Sequence, residues 1–108
     1  MSPRARKIAA PVFAALGDAT RLSLLSRLAD GRPHSIVQLT QGTGLTRQGV
    51  SKHLAILARA RIITGARVGR ESHFVVRPDS LTEATQYLER ASQQWDEAIG
   101  RLRQIVEK

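Results

Sequence analysis

The sequence predicts a mostly α-helical fold with one small β-hairpin, on three observations. Apolar residues recur at helical spacing through most of the chain, Val50, Leu54 and Leu57 at i, i+4 and i+7 being the plainest case. Residues 62–77 are instead rich in Ile, Val, Thr and Phe around Val68-Gly69-Arg70-Glu71, the composition of two strands and a turn. Residues 79–107 carry two interleaved seven-residue apolar series, the pattern of a long helix lying along another helix. A chain of 108 residues, 42% hydrophobic, suits a single domain over 1–108 with a modest core, to which self-association would add burial.

Charge is unevenly placed. Of the net +8, residues 1–77 hold thirteen Lys/Arg against three acids, whereas residues 78–108 hold four against six. A basic body with a mildly acidic end points to a polyanionic partner at one end only. The absence of cysteine excludes disulfides, thiolate metal sites and thiol redox sensing. No stretch is long enough to span a membrane. The basic start followed by Ile8 to Leu16 has the outline of a leader peptide, but Pro11 interrupts it, so a cytoplasmic protein is expected.

Taken in order, Met1 to Lys7 reads as a basic tail. A first helix is expected over Ala9 to Leu16 with Pro11 in its first turn. Asp18 would cap a second over Ala19 to Ala29, with Leu22, Leu25, Leu28 and Ala29 inward and Arg21 and Arg27 outside. Residues 35–60 form a helix-turn-helix pattern. Ser35 and Gln38 make a capping box, Gly42 and Gly44 bracket the turn, Leu45 points inward and Thr46 caps the next helix. The hairpin of residues 62–77 follows directly, which makes it a wing. Pro78 stops it, and Ser80 with Glu83 offers a second capping box.

The helix after Thr46 is built to lie in a DNA groove. Opposite its apolar stripe stand Arg47, Gln48, Ser51 and Lys52, on the first turns, where side chains reach base edges. Arg47 and Gln48 are the candidates for base readout, since Arg pairs bidentately with guanine and Gln with adenine. Thr46, Ser51 and Lys52 suit phosphate contacts, and His53 either touches phosphate or packs. Arg67 and Arg70 on the wing would reach the backbone or the adjacent minor groove.

In the last helix, Leu81, Leu88, Trp95 and Leu102 form one series and Ala84, Ala91, Ala98 and Ile105 the other. With Val12, Phe13 and Leu16 of the first helix they make the expected homodimer interface. Trp95 is an interface anchor, the floor of an effector pocket or part of the core. His34 and His73 stand far apart in sequence and suggest no ligand set, and no metal or cofactor is expected. No catalytic spacing appears, so the chain is not read as an enzyme.

Three stretches, FAALGDATRLSLLSRLADG, LTRQGVSKHLAILARARII and the GR of the hairpin, together resemble the ArsR/SmtB winged helix-turn-helix repressors of prokaryotes. The likeness covers roughly residues 10–77, with Val50-Ser51-Lys52-His53-Leu54 its strongest part. It implies three helices, a recognition helix, a wing and a long C-terminal helix. It also implies a homodimer formed through the first and last helices, each protomer inserting its recognition helix into the major groove to block transcription. Departures matter too. The Cys-x-Cys of metal-sensing members falls on Ser35 and Val37, and residues 79–108 contain no histidine, so neither metal site of the family can be assembled. Arg61 stands where the family usually has Gly; a left-handed conformation there would cost around 1 kcal/mol. Leu88 to Leu102 resembles the metal-free members that accompany START-like ligand-binding proteins.

The expected function is a homodimeric, sequence-specific DNA-binding regulator, a repressor on an inverted repeat, without metal response and with an unidentified effector. Its partners are double-stranded DNA and a second copy of itself, with no membrane. Two alternatives share the fold: an adaptor for an acidic protein, and a non-specific nucleoid-binding protein.

Overall fold

The computed structural model of the chain describes residues 3–107. Its elements are α1 (Pro3–Leu16), α2 (Ala19–Arg27), β1 (His34–Ser35), α3 (Ile36–Thr40), α4 (Arg47–Arg59), β2 (Ile63–Val68), β3 (Glu71–Val76) and α5 (Pro78–Val106). The first helix starts earlier than its apolar spacing predicts. Residues 3–7, read as a tail, belong to it, while Met1 and Ser2 lie outside the described residues. Pro3 suits the first helical position, where the missing N–H costs nothing. Pro11, placed in the first turn by the sequence, instead lies inside the helix on its exposed side. The helix continues through the missing bond because Val12 and Ala15, just beyond it, are packed into the core.

The core gathers one stripe from each helix. Val12 and Ala15 of α1, Leu24 and Leu28 of α2, and Leu39 of α3 meet Val50, Leu54 and Leu57 of α4, with Ile62 and Ile63 beneath the wing and Ala84 from α5. The α4 stripe is the one that the sequence predicts. In α2 it is rotated: Leu24 is buried in place of Leu22, which is 49% exposed, and Ala29 is exposed beyond the helix end. Leu45, expected inward, is only partly covered, at 39% exposed.

Arg21 and Arg27, expected in solvent, are tethers instead. Arg21 Nε donates to the carbonyl of Ala15 (2.6 Å), tying α2 to the end of α1. Arg27 donates to the carbonyls of Leu39 (3.1 Å) and Gln41, closing the end of α3. Those are carbonyls that a helix terminus leaves unpaired.

The end of α4 is a Schellman motif. The N–H of Ile62 reaches back to the carbonyl of Leu57 and that of Arg61 to Ala58, both at 3.0 Å. The motif needs a left-handed residue at its turn, and Arg61 takes that role with φ 63°. Leu57 and Ile62, both fully buried, make the apolar contact that accompanies it.

The hairpin gains a third strand. β1 pairs with β3 (His34 opposite Phe74, Ser35 opposite His73), giving an antiparallel sheet in the order β1-β3-β2. Gly65 faces Phe74 across β2 and β3, and a Cβ there would lie 3.1 Å from the ring, so glycine lets Phe74 lie over the sheet. Helix α5 begins with Pro78 in its first turn, so the expected Ser80 capping box does not form; Ser80 is buried within the helix. Phe13 of α1 packs on Tyr87 of α5, ring centroids 5.6 Å apart. Among the described residues no helix is long and apolar enough to cross a membrane.

Candidate nucleic-acid interface

The short helix α3 is fixed by reciprocal capping: Ser35 N–H donates to Gln38 Oε1 (3.0 Å) and Gln38 N–H to Ser35 Oγ (3.2 Å). The turn that follows is stitched by Thr43, whose hydroxyl donates to the Thr40 carbonyl and accepts from Leu45 N–H. Gly42 and Gly44 both take positive φ there, as the sequence expects. Thr46 then caps α4, its hydroxyl accepting from Gly49 N–H at 3.0 Å. With that oxygen accepting, the Thr46 O–H stays available as a donor.

Arg47, Gln48, Ser51 and Lys52 are all exposed on the first turns of α4, opposite its buried stripe. The wing folds back towards them. Its two-residue tip, Gly69-Arg70, has positive φ at Gly69 only, the pattern of a II′ hairpin turn that matches strand twist. Between the α4 start, the α3 start and the wing lies a cleft of about 380 Å³, walled by Arg47, Gln48 and Ser51, by Ser35, Ile36 and Val37, and by Arg70, Glu71 and Ser72. Arg67 is the cross-strand partner of Ser72 and so shares its face of the sheet. Lys52 and Thr46 flank this cleft without lining it. Among the described residues Arg47, Lys52, Arg67 and Arg70 have no acidic partner within 4 Å. Glu71, the one acid in the wall, is held by His73 at 3.1 Å. Val37, exposed on the cleft wall, was not singled out by the sequence, because its place beside Arg47 depends on the turn geometry.

His53 is placed elsewhere. Its Nδ1 lies 3.3 Å from Arg21 and 3.9 Å from the carboxylate of Asp18, at the capped start of α2. Asp18 Oδ1 accepts from Arg21 N–H at 3.0 Å. That backbone bond is the largest cause and, with the smaller help of the Arg21 and His53 charges, holds its carboxyl below the usual range against desolvation. The ring of His53 thus joins α4 to α2, a packing role, while a quarter of its side chain stays open to solvent.

A helix-turn-helix domain model matches residues 16–66, the span from the end of α1 into β2. The uncharacterized HTH-type transcriptional regulator YuzN of Bacillus subtilis is 34% identical over 65 residues, 55% of this chain and 71% of that protein. An ArsR-like transcriptional regulator from Rhodococcus sp. RHA1 superposes with a TM-score of 0.78 at 31% identity, covering 92% of both chains. The chain belongs to the ArsR-like family of helix-turn-helix transcriptional regulators. A homodimeric winged helix-turn-helix DNA-binding domain from Mycobacterium bovis shares the fold at TM-score 0.66 and 22% identity, covering 86% of this chain and 89% of that one.

Two residues of the expected dimer interface are used up within one protomer. Val12 is fully buried and Ala84 nearly so, both in the regulator's own core, and Phe13, Leu16 and Leu81 pack partly against it. Beyond Tyr87 the situation reverses. Leu88, Leu102 and Ile105 are exposed and Trp95 is 70% exposed, which removes Trp95 from the protomer's core. Ala91 and Ala98 are half-buried on the shielded side. Ile99 and Val106 extend the open stripe. Among the described residues no three His, Cys, Asp or Glu side chains cluster as a metal site would require.

Proposed function

We propose that this regulator is a homodimeric repressor that reads an inverted-repeat operator through Arg47 and Gln48. The observation that carries the reading is the cleft where the start of α4 meets the tip of the wing, with its guanidinium groups unpaired by acids among the described residues. An α-helix start fits the major groove while an adjacent basic hairpin follows the backbone into the minor groove. In this reading Arg47 and Gln48 contact bases, and Thr46, Ser51 and Lys52 hold phosphates. Arg67 and Arg70 grip the flanking backbone. Val37 offers an apolar contact to a thymine methyl.

The twofold partner is a second copy, docked along α5. That helix, 29 residues long, reaches about 43 Å. Its outer half has little of its own protomer to pack on. Leu88, Trp95 and Leu102, still 55–70% exposed, would each gain roughly 1–2 kcal/mol on full burial. Doubled by symmetry, this is of the same order as the roughly 4–15 kcal/mol of freedom lost on association. The structural neighbour from Mycobacterium bovis is itself homodimeric, which supports a two-copy assembly without saying which helix makes it. The two recognition helices then meet half-sites about one helical turn or slightly more apart. The lack of cysteine, with no histidine in residues 79–108, supports a regulator that answers to something other than the metals sensed through those residues.

The test is fluorescence anisotropy on the DNA upstream of the regulator's own gene and on scrambled DNA, across a salt series. The expected result is a preference of roughly a thousandfold for the native fragment that persists as salt rises, with both affinities falling steeply. Equal, salt-sensitive binding to operator candidates selected genome-wide and to random DNA would identify a non-specific binder. No binding at low salt would sink the reading in favour of an adaptor.

A further inference from the structure

A second cleft, of about 440 Å³, lies where α1, the end of α4 and the start of α5 meet. Its volume is that of a small-molecule site. Lys7 comes from α1, Arg59 and Arg61 from the end of α4, and Arg77 from the residue before α5, with Asp79 and Glu83 opposite. Asp79 is already engaged by Arg77 at 3.8 Å. Arg59 and Arg61 have no acidic partner within 4 Å among the described residues. Four cations face two carboxylates, one of them spoken for, so the cleft has an uncompensated positive charge.

Arg61 makes the cleft more than a chance of surface composition. It occupies the left-handed turn of the Schellman motif, where glycine is free of strain and an L side chain is not. An arginine there adds strain to the fold, and among the described residues its side chain gains no hydrogen-bond or acidic partner. Such an outlier points to a use for its side chain.

The place also argues for a ligand distinct from operator DNA. Arg59 is the last residue of α4 and Arg47 the first, so the two lie about 18 Å apart along the helix. The cleft's walls are joined through the backbone: Arg77 N–H donates to the Ile62 carbonyl at 2.7 Å. A molecule bound here would bridge the recognition helix, the base of the wing and the long helix.

We propose that this cleft binds a small polyanion, a phosphorylated or multiply carboxylated metabolite, between Lys7, Arg59, Arg61 and Arg77. Arginine matches both groups with paired N–H donors, which fixes the charge of the ligand and leaves its headgroup to experiment. Its role as the regulator's effector rests on the DNA-binding reading above; the site itself does not.

The experiment titrates pyrophosphate and citrate into the full chain without DNA, against sodium chloride at matched ionic strength, following the unfolding temperature and the heat of binding. One or both probes should stabilise the wild type and R47A beyond salt alone, and whichever does so identifies the headgroup. R61G should unfold at a higher temperature than wild type without ligand, yet bind the probe at least tenfold more weakly, as should R59Q. The proposal is overturned if neither probe exceeds salt or if R61G keeps wild-type affinity. It is equally overturned if R47A loses binding, which would place the anion on the DNA face. With the site established, anisotropy on the operator tests the effector role: saturating probe should change the affinity of wild type and not of R61G, and an unchanged wild type removes that role alone.

Discussion

Arg47 and Gln48 stand exposed beside Arg70 and, among the described residues, are bonded to no other side chain, so their loss should not disturb the fold. Arg47→Ala should therefore weaken the preferred operator by about 1–3 kcal/mol and random DNA less. Anisotropy on both sequences checks this, and an equal loss would make Arg47 a phosphate contact. Arg61→Gly should stabilise the protein by about 1 kcal/mol in urea denaturation, through relief of left-handed strain. Asp18 gives the pH signature. Its carboxyl is held low by the α2 backbone and by Arg21 and His53, so its contribution is complete above the ordinary carboxylate pKa of 3.8 and is lost as the pH falls through the lowered folded value. Asp30, bonded to His34 and to Arg32 N–H, adds a second loss of the same sign. Asp18→Asn, which keeps the capping oxygen, should flatten the acid limb of the unfolding-temperature profile. Single residues were legible where they served one element. Thr46 and Ser35 read as caps because both partners lie within three residues. Arg21 and Arg27 did not, because their acceptors belong to other elements.

At the scale of elements, α4 was the most legible, since its stripe and caps are local. β1 was invisible: His34-Ser35 has no strand pattern, and only the pairing with β3 makes it one. The early start of α1 escaped because residues 3–8 lack an amphipathic period while costing little in a helix. Likewise, a helix opening at Pro78 overrode a capping box two residues later. Two changes test how the elements hold. Arg27→Ala should cost about 1–2 kcal/mol in urea denaturation, as the end of α3 loses its charged donors. Gly100→Ala, whose new Cβ meets nothing within 4 Å, should raise helicity by circular dichroism and add up to about 1 kcal/mol.

The whole molecule is long, 67 × 28 × 21 Å, and its outermost apolar side chains sit on α5. The heptad series in the sequence foretold an unsatisfied face there, but not that Val12 and Ala84 would be used within the protomer. The proposed dimer therefore rests on the distal half of the helix. Trp95→Glu with Leu102→Glu should give a monomer by sedimentation that keeps its fold and loses most operator affinity; a dimer of unchanged strength would move the interface elsewhere. The strand order β1-β3-β2 has a further consequence, for shelf life. It leaves β2 as a sheet margin with backbone groups open to a strand from any neighbouring molecule, the first step towards fibrils. Gly65 and Arg67 blunt that margin, one by breaking β-propensity and the other by its charge. Neutralising Arg67 to probe DNA contact would thus also remove a guard against aggregation, and Arg67→Lys is the replacement that keeps concentrated stocks clear.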